Sequence, residues 1–276
     1  LIPIDPVERH LFFEGILIKY GYDFRQYAEA SLDRRLAYIL GKKGSTSLLD
    51  LLKDVLGKPE EFRSILSQLT INTTEFFRDP HFFKTLRETV IPILKTYPHI
   101  VIWSAGCSTG EEVLSLAILL QEENLLKRTT IYATDINQNV LKTAKEGIYE
   151  ASCIPLFNKN YSMAGGSKAP SDYYSADYGL VRFNRDLLEN VVFSEHNLAT
   201  DSAFVECQLI LCRNVFIYFS RELQNRALEL FCQSLAHKGF LAIGPKETLR
   251  FSPKANSFSS VHEGSNIFSF NERFKK

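Results

Sequence analysis

The sequence is short of several things. It has one tryptophan, one methionine and five cysteines among 276 residues, and no surplus of charge of either sign. Thirty-two Lys and Arg against thirty-two Asp and Glu leave no net field to hold a polyanion, which argues against a dominant nucleic-acid or anionic-membrane surface. Cys107, Cys153, Cys207, Cys212 and Cys232 form no C-x-x-C pair and lack zinc-site spacing. Their odd number leaves one over from any disulfide pairing, so reduced thiols and no bound metal are expected. No uninterrupted apolar run approaches the roughly 20 residues that span a bilayer, and no signal-peptide pattern opens the chain. A cytoplasmic protein without direct membrane insertion is therefore expected. Residue 1 is Leu and the lone methionine is Met163, from which a trimmed or processed chain is expected. What is present, 45% hydrophobic and 23% charged residues, suffices for one large domain or two small ones.

Two textures divide the chain. Residues 1 to about 90 carry helical periodicity around Leu11–Ile18, Tyr27–Leu40, Leu48–Leu56 and Phe62–Leu69, with Gly41 and Gly44, then Gly57 and Pro59, as the stops. From Pro98 onward strands and helices alternate. Strands are expected at His99–Ala105, Thr129–Asp135, Val191–His196, Gln208–Cys212 and Phe240–Gly244. Helices are expected at Gln138–Lys145 and from Ser220 to Lys238. Such alternation implies an α/β fold with a parallel, helix-covered sheet. Phe258–His262 and Asn266–Phe270 read as a terminal hairpin. Residues 150–190, with Gly165-Gly166, Pro170 and several tyrosines, read as an insertion, its stretch 162–172 the loosest.

The turn Trp103-Ser104-Ala105-Gly106-Cys107-Ser108-Thr109-Gly110-Glu111-Glu112 joins the first of these strands to a helix. Ligands bind at that edge of an open α/β sheet. Gly106 and Gly110 do not complete the three-glycine dinucleotide fingerprint, and Glu111-Glu112 stand where a phosphate-binding loop needs Lys-Ser/Thr. Two carboxylates repel a polyphosphate and suit a neutral or cationic ligand carrying an ammonium or a sulfonium. They are equally the acids that a helix dipole favours in a first turn. Asp135 ends the next strand, 29 residues after Gly106, where a carboxylate can accept both hydroxyls of a ribose. An Asp there is also a common loop starter, and it is the conjunction with the glycine turn that carries weight.

Four motifs in order, Asn72-Thr73-Thr74-Glu75-Phe76-Phe77-Arg78, Trp103–Glu112, Ala133–Ile136 and Cys212-Arg213-Asn214-Val215-Phe216-Ile217-Tyr218-Phe219, closely resemble the CheR-type chemotaxis-receptor glutamate methyltransferases. The resemblance spans residues 10 to 270. It implies a helical N-terminal domain and linker over 1–90. It implies a class I, Rossmann-like S-adenosylmethionine-dependent methyltransferase domain over 91–276, with a seven-stranded mixed sheet and a small β-subdomain inserted at about 150–190. It also implies methyl transfer to glutamate carboxylates in the cytoplasmic domain of a chemoreceptor or related signalling protein, leaving S-adenosylhomocysteine; a monomer is expected. By resemblance Asn72, Thr74 and Arg78 reach over the cofactor, Glu112 holds its amino group and Asp135 its ribose. Asn197 and Leu198 meet the adenine, and Asn214 and Val215 form the floor beneath, with Gly106 in the cofactor turn.

Taken singly, Asn197 and Asn214 read as turn residues, Leu198 and Val215 as core, Arg78 as a surface arginine and Tyr218 as structural; the family context reverses these readings. The chemistry needs no base, because a glutamate of reference pKa about 4.3 is already ionised at neutral pH. Arg78 is expected to orient the acceptor carboxylate and Tyr218 to donate to it from the pocket wall. Two stretches depart from the family. Ser31–Lys43 keeps Arg34, Arg35, Lys42 and Lys43 but reads Leu36-Ala37-Tyr38-Ile39-Leu40 where more arginines are expected. Gly244-Pro245-Lys246-Glu247 replaces a Gly-His-Ser-Glu-like turn. Two other classes share the cofactor site: a nucleic-acid amino-methyltransferase, whose Asp/Asn-Pro-Pro-aromatic motif Cys212-Arg213-Asn214-Val215 is not, and a regulatory module that binds the cofactor without turnover.

Overall fold

The computed structural model describes residues 3–70 and 73–271. Four helices open the chain: α1 (Pro6–Tyr20), α2 (Glu29–Lys43), α3 (Leu48–Gly57) and α4 (Pro59–Leu69). Asp5 caps α1 by accepting from the Val7 and Glu8 N–H groups, with Pro6 preset for the first turn. The apolar faces meet in one core that includes Phe12, Ile16, Leu36, Ile39, Leu51 and Ile65. Gly41, expected as a stop, lies inside α2; the helix runs on to Gly44, whose φ of 67° makes the left-handed cap. Of the expected 1–90 unit, the segment that follows packs elsewhere. The helix α5 (Pro80–Thr85) passes through a wide turn at Leu86–Val90 into α6 (Ile91–Leu94), and Phe76, Phe77, Phe83, Leu86, Val90 and Leu94 join the core of the sheet.

The second half alternates β1 (Ile100–Ala105), α7 (Glu111–Glu122), β2 (Thr129–Asp135), α8 (Gln138–Glu146), β3 (Ile148–Glu150), α9 (Ile154–Met163), β4 (Tyr174–Asp177), β5 (Leu180–Phe183), β6 (Val191–Glu195) and β7 (Cys207–Cys212), then α10 (Arg221–Ser234), β8 (Leu235–Ile243), β9 (Phe258–Ser260) and β10 (Ile267–Phe270). Seven strands form a mixed sheet in the order β6-β2-β1-β7-β8-β10-β9. The first five are parallel, and the terminal hairpin enters antiparallel with β10 against β8. The chain leaves β1 toward β2 on one side and returns to β7 on the other, so a crevice opens at the carboxyl ends of β1 and β7.

One expected boundary needs correction. The last helix does not reach Lys238: it ends at Ser234, and Leu235 enters β8 directly. Leu235 and Ala236 are buried, and Leu235 already pairs with Cys207, so sheet burial overrides the helical pattern; an irregularity between Cys207 and Leu209 then absorbs Lys238 at φ 59°. The insertion carries the small β-subdomain expected of it. The antiparallel sheet β3-β5-β4 is accompanied by α9, whose Phe157 and Tyr161 pack against Phe77, with Phe157 also against Phe183.

Candidate active site

The crevice is built from backbone geometry first. The N–H groups of Gly106 and Cys107 both donate to the Thr134 carbonyl (2.7 and 2.9 Å), stitching the turn after β1 to the end of β2. Gly106 has φ 77°, and a Cβ there would lie 2.6 Å from Cγ2 of Val215, so only glycine lets turn and floor approach. The Ser108 N–H donates to Asp135 Oδ2 and the Asn137 N–H to Oδ1, each at 2.9 Å. Burial pushes the Asp135 carboxyl above its ordinary value, while the N–H groups of Asn137, Ser108 and Ile136 pull it down. Burial likewise pushes the Cys107 thiol well up, which leaves it an unreactive wall residue.

Glu112 sits in the first turn of α7. Its Oε2 accepts from Arg213 Nη1 at 2.9 Å, and its Oε1 meets only the Ser104 hydroxyl, at 3.4 Å, among the bonds described. Acceptor capacity is left on the carboxylate. Beneath, Asn214 adopts φ 62° and its N–H donates to Glu247 Oε2 (3.0 Å), which also accepts from the Gly244 N–H (2.5 Å). Glu247 Oε1 accepts from the Ile217 N–H (3.3 Å). The departing turn Gly244–Glu247 therefore still anchors the floor through its glutamate, which sequence reasoning did not assign. The Cys212–Phe219 motif by itself gives Arg213 no role.

The helical domain closes the crevice. The Ala28 N–H donates to the Tyr218 carbonyl and the Ser220 N–H to the Gln26 carbonyl, each at 2.8 Å, a short antiparallel stitch around Tyr27 and Phe219. Arg35 lies over the Tyr218 ring, 5.8 Å from its centroid, and donates to the Leu69 carbonyl (2.6 Å). Burial raises the Tyr218 pKa, opposed by the charges of Arg35, Arg78 and Arg34, so the hydroxyl keeps its proton and can donate at neutral pH. Arg78 Nη1 donates to the Thr73 carbonyl (3.0 Å).

One cavity of about 990 Å³, part of it open to solvent, is lined by Thr74, Arg78, Gly106, Glu112, Asp135, Asn197, Leu198, Asn214, Val215 and Tyr218 together. Asn197 spends its side-chain oxygen on the Ala199 N–H (2.9 Å) and keeps its amide N–H groups. Asn72 lies outside the described residues. Tyr27, Ser31, Leu32, Leu69 and Thr70 also line the cavity; no motif marked them, because they arrive from the helical domain through folding alone. Among the described residues no three His, Cys, Asp or Glu are placed to hold a metal, and no helix is long and apolar enough to cross a membrane.

Residues 8–70 match the family described as CheR methyltransferase, all-alpha domain, and residues 72–265 that described as CheR methyltransferase, SAM binding domain. A Pseudomonas putida protein bearing the name methyltransferase Cher3 is 47% identical over 262 residues, covering 95% of this chain and 96% of the relative. The chemotaxis protein methyltransferase of Vibrio anguillarum is 32% identical, covering 82% of each chain, and that of Listeria innocua is 29% identical, covering 90% and 93%. The donor set fits the cofactor: carboxylates border the cavity at Glu112 and Asp135, and apolar Leu198 and Val215 line the same space. The chain belongs to the CheR methyltransferase family and is an S-adenosylmethionine-dependent methyltransferase with an all-helical N-terminal domain.

Proposed function

We propose that the protein esterifies glutamate side chains in the cytoplasmic domain of a chemoreceptor-type protein, acting as a cytoplasmic monomer. The observation that supports this reading is the environment of Tyr218. Arg78 lines the same cavity as Tyr218, and Arg35 lies over the Tyr218 ring, 5.8 Å from its centroid, so the hydroxyl is a donor with a cation on the cavity wall and another behind the ring, suited to an anionic oxygen. The names of the Vibrio and Listeria relatives point to the same pathway.

When bound, S-adenosylmethionine supplies a methyl group on a positively charged sulfur, open to displacement by an oxygen nucleophile. The chain's own residues bind and orient. Glu112 offers its spare carboxylate oxygen to the amino group, and Asp135 takes the ribose hydroxyls. Asn197 and Leu198 meet the adenine, and Asn214 and Val215 carry the floor. Thr74 covers the site from the linker, and the family resemblance gives Asn72 the same task. Arg78 orients the acceptor carboxylate through paired N–H groups, and Tyr218 donates to it. No base is needed, because the acceptor is already ionised; positioning and exclusion of water supply the rate.

The test is transfer of a labelled methyl group to a receptor cytoplasmic fragment. Base-labile label that disappears when the acceptor glutamates become glutamine is the expected result. Base-stable label, or transfer to the glutamine variants, would sink the carboxylate assignment. Tight binding of S-adenosylhomocysteine without transfer to any acceptor would favour a regulatory module.

A further inference from the structure

Arg213 directly follows β7, and its side chain is 1% exposed. Its guanidinium bonds three separate parts of the site: Nη1 donates to Glu112 Oε2 (2.9 Å), while Nη2 donates to Asp79 Oδ2 (2.7 Å) and to the Arg78 carbonyl (3.0 Å). Its face lies over Phe82, 4.0 Å from the ring centroid. Asp79 is absent from the lining of the cofactor cavity and borders a second groove, which Arg213 also lines. The backbone at these points is held in costly conformations. Phe77 (φ 49°) and Asp79 (φ 56°) flank Arg78, and Asn214 (φ 62°) follows Arg213. Left-handed geometry at non-glycine residues is costly and persists only where surrounding contacts impose it.

We propose that Arg213 is a positioning residue that locks Glu112 and the Arg78–Asp79 turn into one frame, so that the carboxylate facing the cofactor and the arginine facing the acceptor are set together. The proposal rests on the roles given above to Glu112 and Arg78. Two carboxylates share one guanidinium, so the cluster keeps a net negative charge that attracts an ammonium while its geometry is fixed. A lysine supplies the charge but not the planar fork that reaches three acceptors at once.

Binding of S-adenosylhomocysteine to the full chain, measured by calorimetry with a melting curve for each variant, tests it. E112Q is expected to lose at least about tenfold in affinity. R213K is expected to melt near the parent yet bind about tenfold more weakly. D79N removes a carboxylate that is 40% exposed and outside the lining of the cavity; it is expected to weaken binding severalfold in the parent and not at all in E112Q, because its route to the cofactor runs through Arg213 and Glu112. Additive losses in D79N/E112Q, or parental binding by R213K and D79N, overturn the proposal while leaving Glu112 as a ligand. Parental binding by E112Q overturns the reading of Glu112 and the proposal with it. Should R213K fail to fold, the two Asp79 variants decide the matter.

Discussion

The two ends of α7 each carry a glutamate paired with an arginine, yet they do opposite work. At the last turn Glu122, 1% exposed, is saturated. Its Oε1 accepts from the hydroxyls of Tyr161 (2.5 Å) and Tyr173 (3.0 Å) and from the N–H (2.9 Å) and hydroxyl (3.0 Å) of Ser167, and its Oε2 accepts from Arg87 (2.5 Å). That ties α9 and, through Ser167, the 162–172 stretch, expected to be the loosest, to the core. At the first turn Glu112 accepts from Arg213 and leaves an oxygen bordering a cavity. An ion pair alone does not mark function; unspent acceptor capacity beside an open volume does.

The largest effect that tests this contrast is at Gly106. Valine there must leave φ 77° or drive its side chain into Val215, and S-adenosylhomocysteine binding is expected to fall about a hundredfold, about 2.7 kcal/mol, near the top of the roughly 1–3 kcal/mol that one strained or overpacked residue costs; near-parental affinity in calorimetry would break the pocket assignment. Next is the exchange at the two ends. E122Q is expected to lose on the order of 3 kcal/mol of stability, as broken buried pairs do, with cofactor affinity unchanged. E112Q is expected to lose affinity with a melting temperature close to the parent. Identical signatures from the two variants would erase the distinction.

A smaller effect is carried by pH. Because Asp135 is held above its ordinary pKa, cofactor affinity is expected to decline on acidification sooner than an ordinary carboxylate near 4 would make it, and D135N should flatten the profile. The stability sign runs the other way. A raised acid favours its protonated form in the fold, so its contribution is present below the ordinary pKa and lost as pH rises through the raised one. Burial pushes Glu122 up, but the bonds from Tyr161, Ser167 and Arg87 outweigh it and leave it below its ordinary value. Its stabilising contribution is therefore present above the ordinary pKa and lost as pH falls through the lowered one. Acid thus reaches binding at Asp135, at the end of β2, before it reaches stability at Glu122 in the last turn of α7, a separation that calorimetry and melting curves over one pH series can check. The smallest effect on the fold is at Tyr38, 62% exposed on α2. Y38A is expected to change stability by no more than about 0.5 kcal/mol and to leave cofactor affinity alone. A raised KM for the acceptor would assign the face where arginines are missing to docking.

Much of the cavity wall was legible because local signals coincide there. Gly106, Glu112 and Asp135 each stand at a strand end or helix start that hydrophobic periodicity locates, and β2 begins and ends where that pattern places it. The helix expected to Lys238 was misjudged because Leu235 answers to its strand neighbour and not to its helical spacing. Arg213 and Glu247 were unassigned for a related reason: a buried charge is recognisable only from its partners, and Glu112, Asp79 and Asn214 lie 33 to 134 residues away along the chain.

Periodicity, turn chemistry and four ordered motifs determine by themselves a helical domain, an α/β sheet and a sulfonium-type cofactor turn, because each depends on residues within about ten positions of one another. Only the tertiary structure decided which carboxylate is spent and which is spare, that the helical domain closes the cavity through the stitch at Tyr27 and Phe219, and that one guanidinium joins Glu112 to the Arg78–Asp79 turn. Those are matters of where hydrogen-bond capacity remains after packing, and capacity is counted in space.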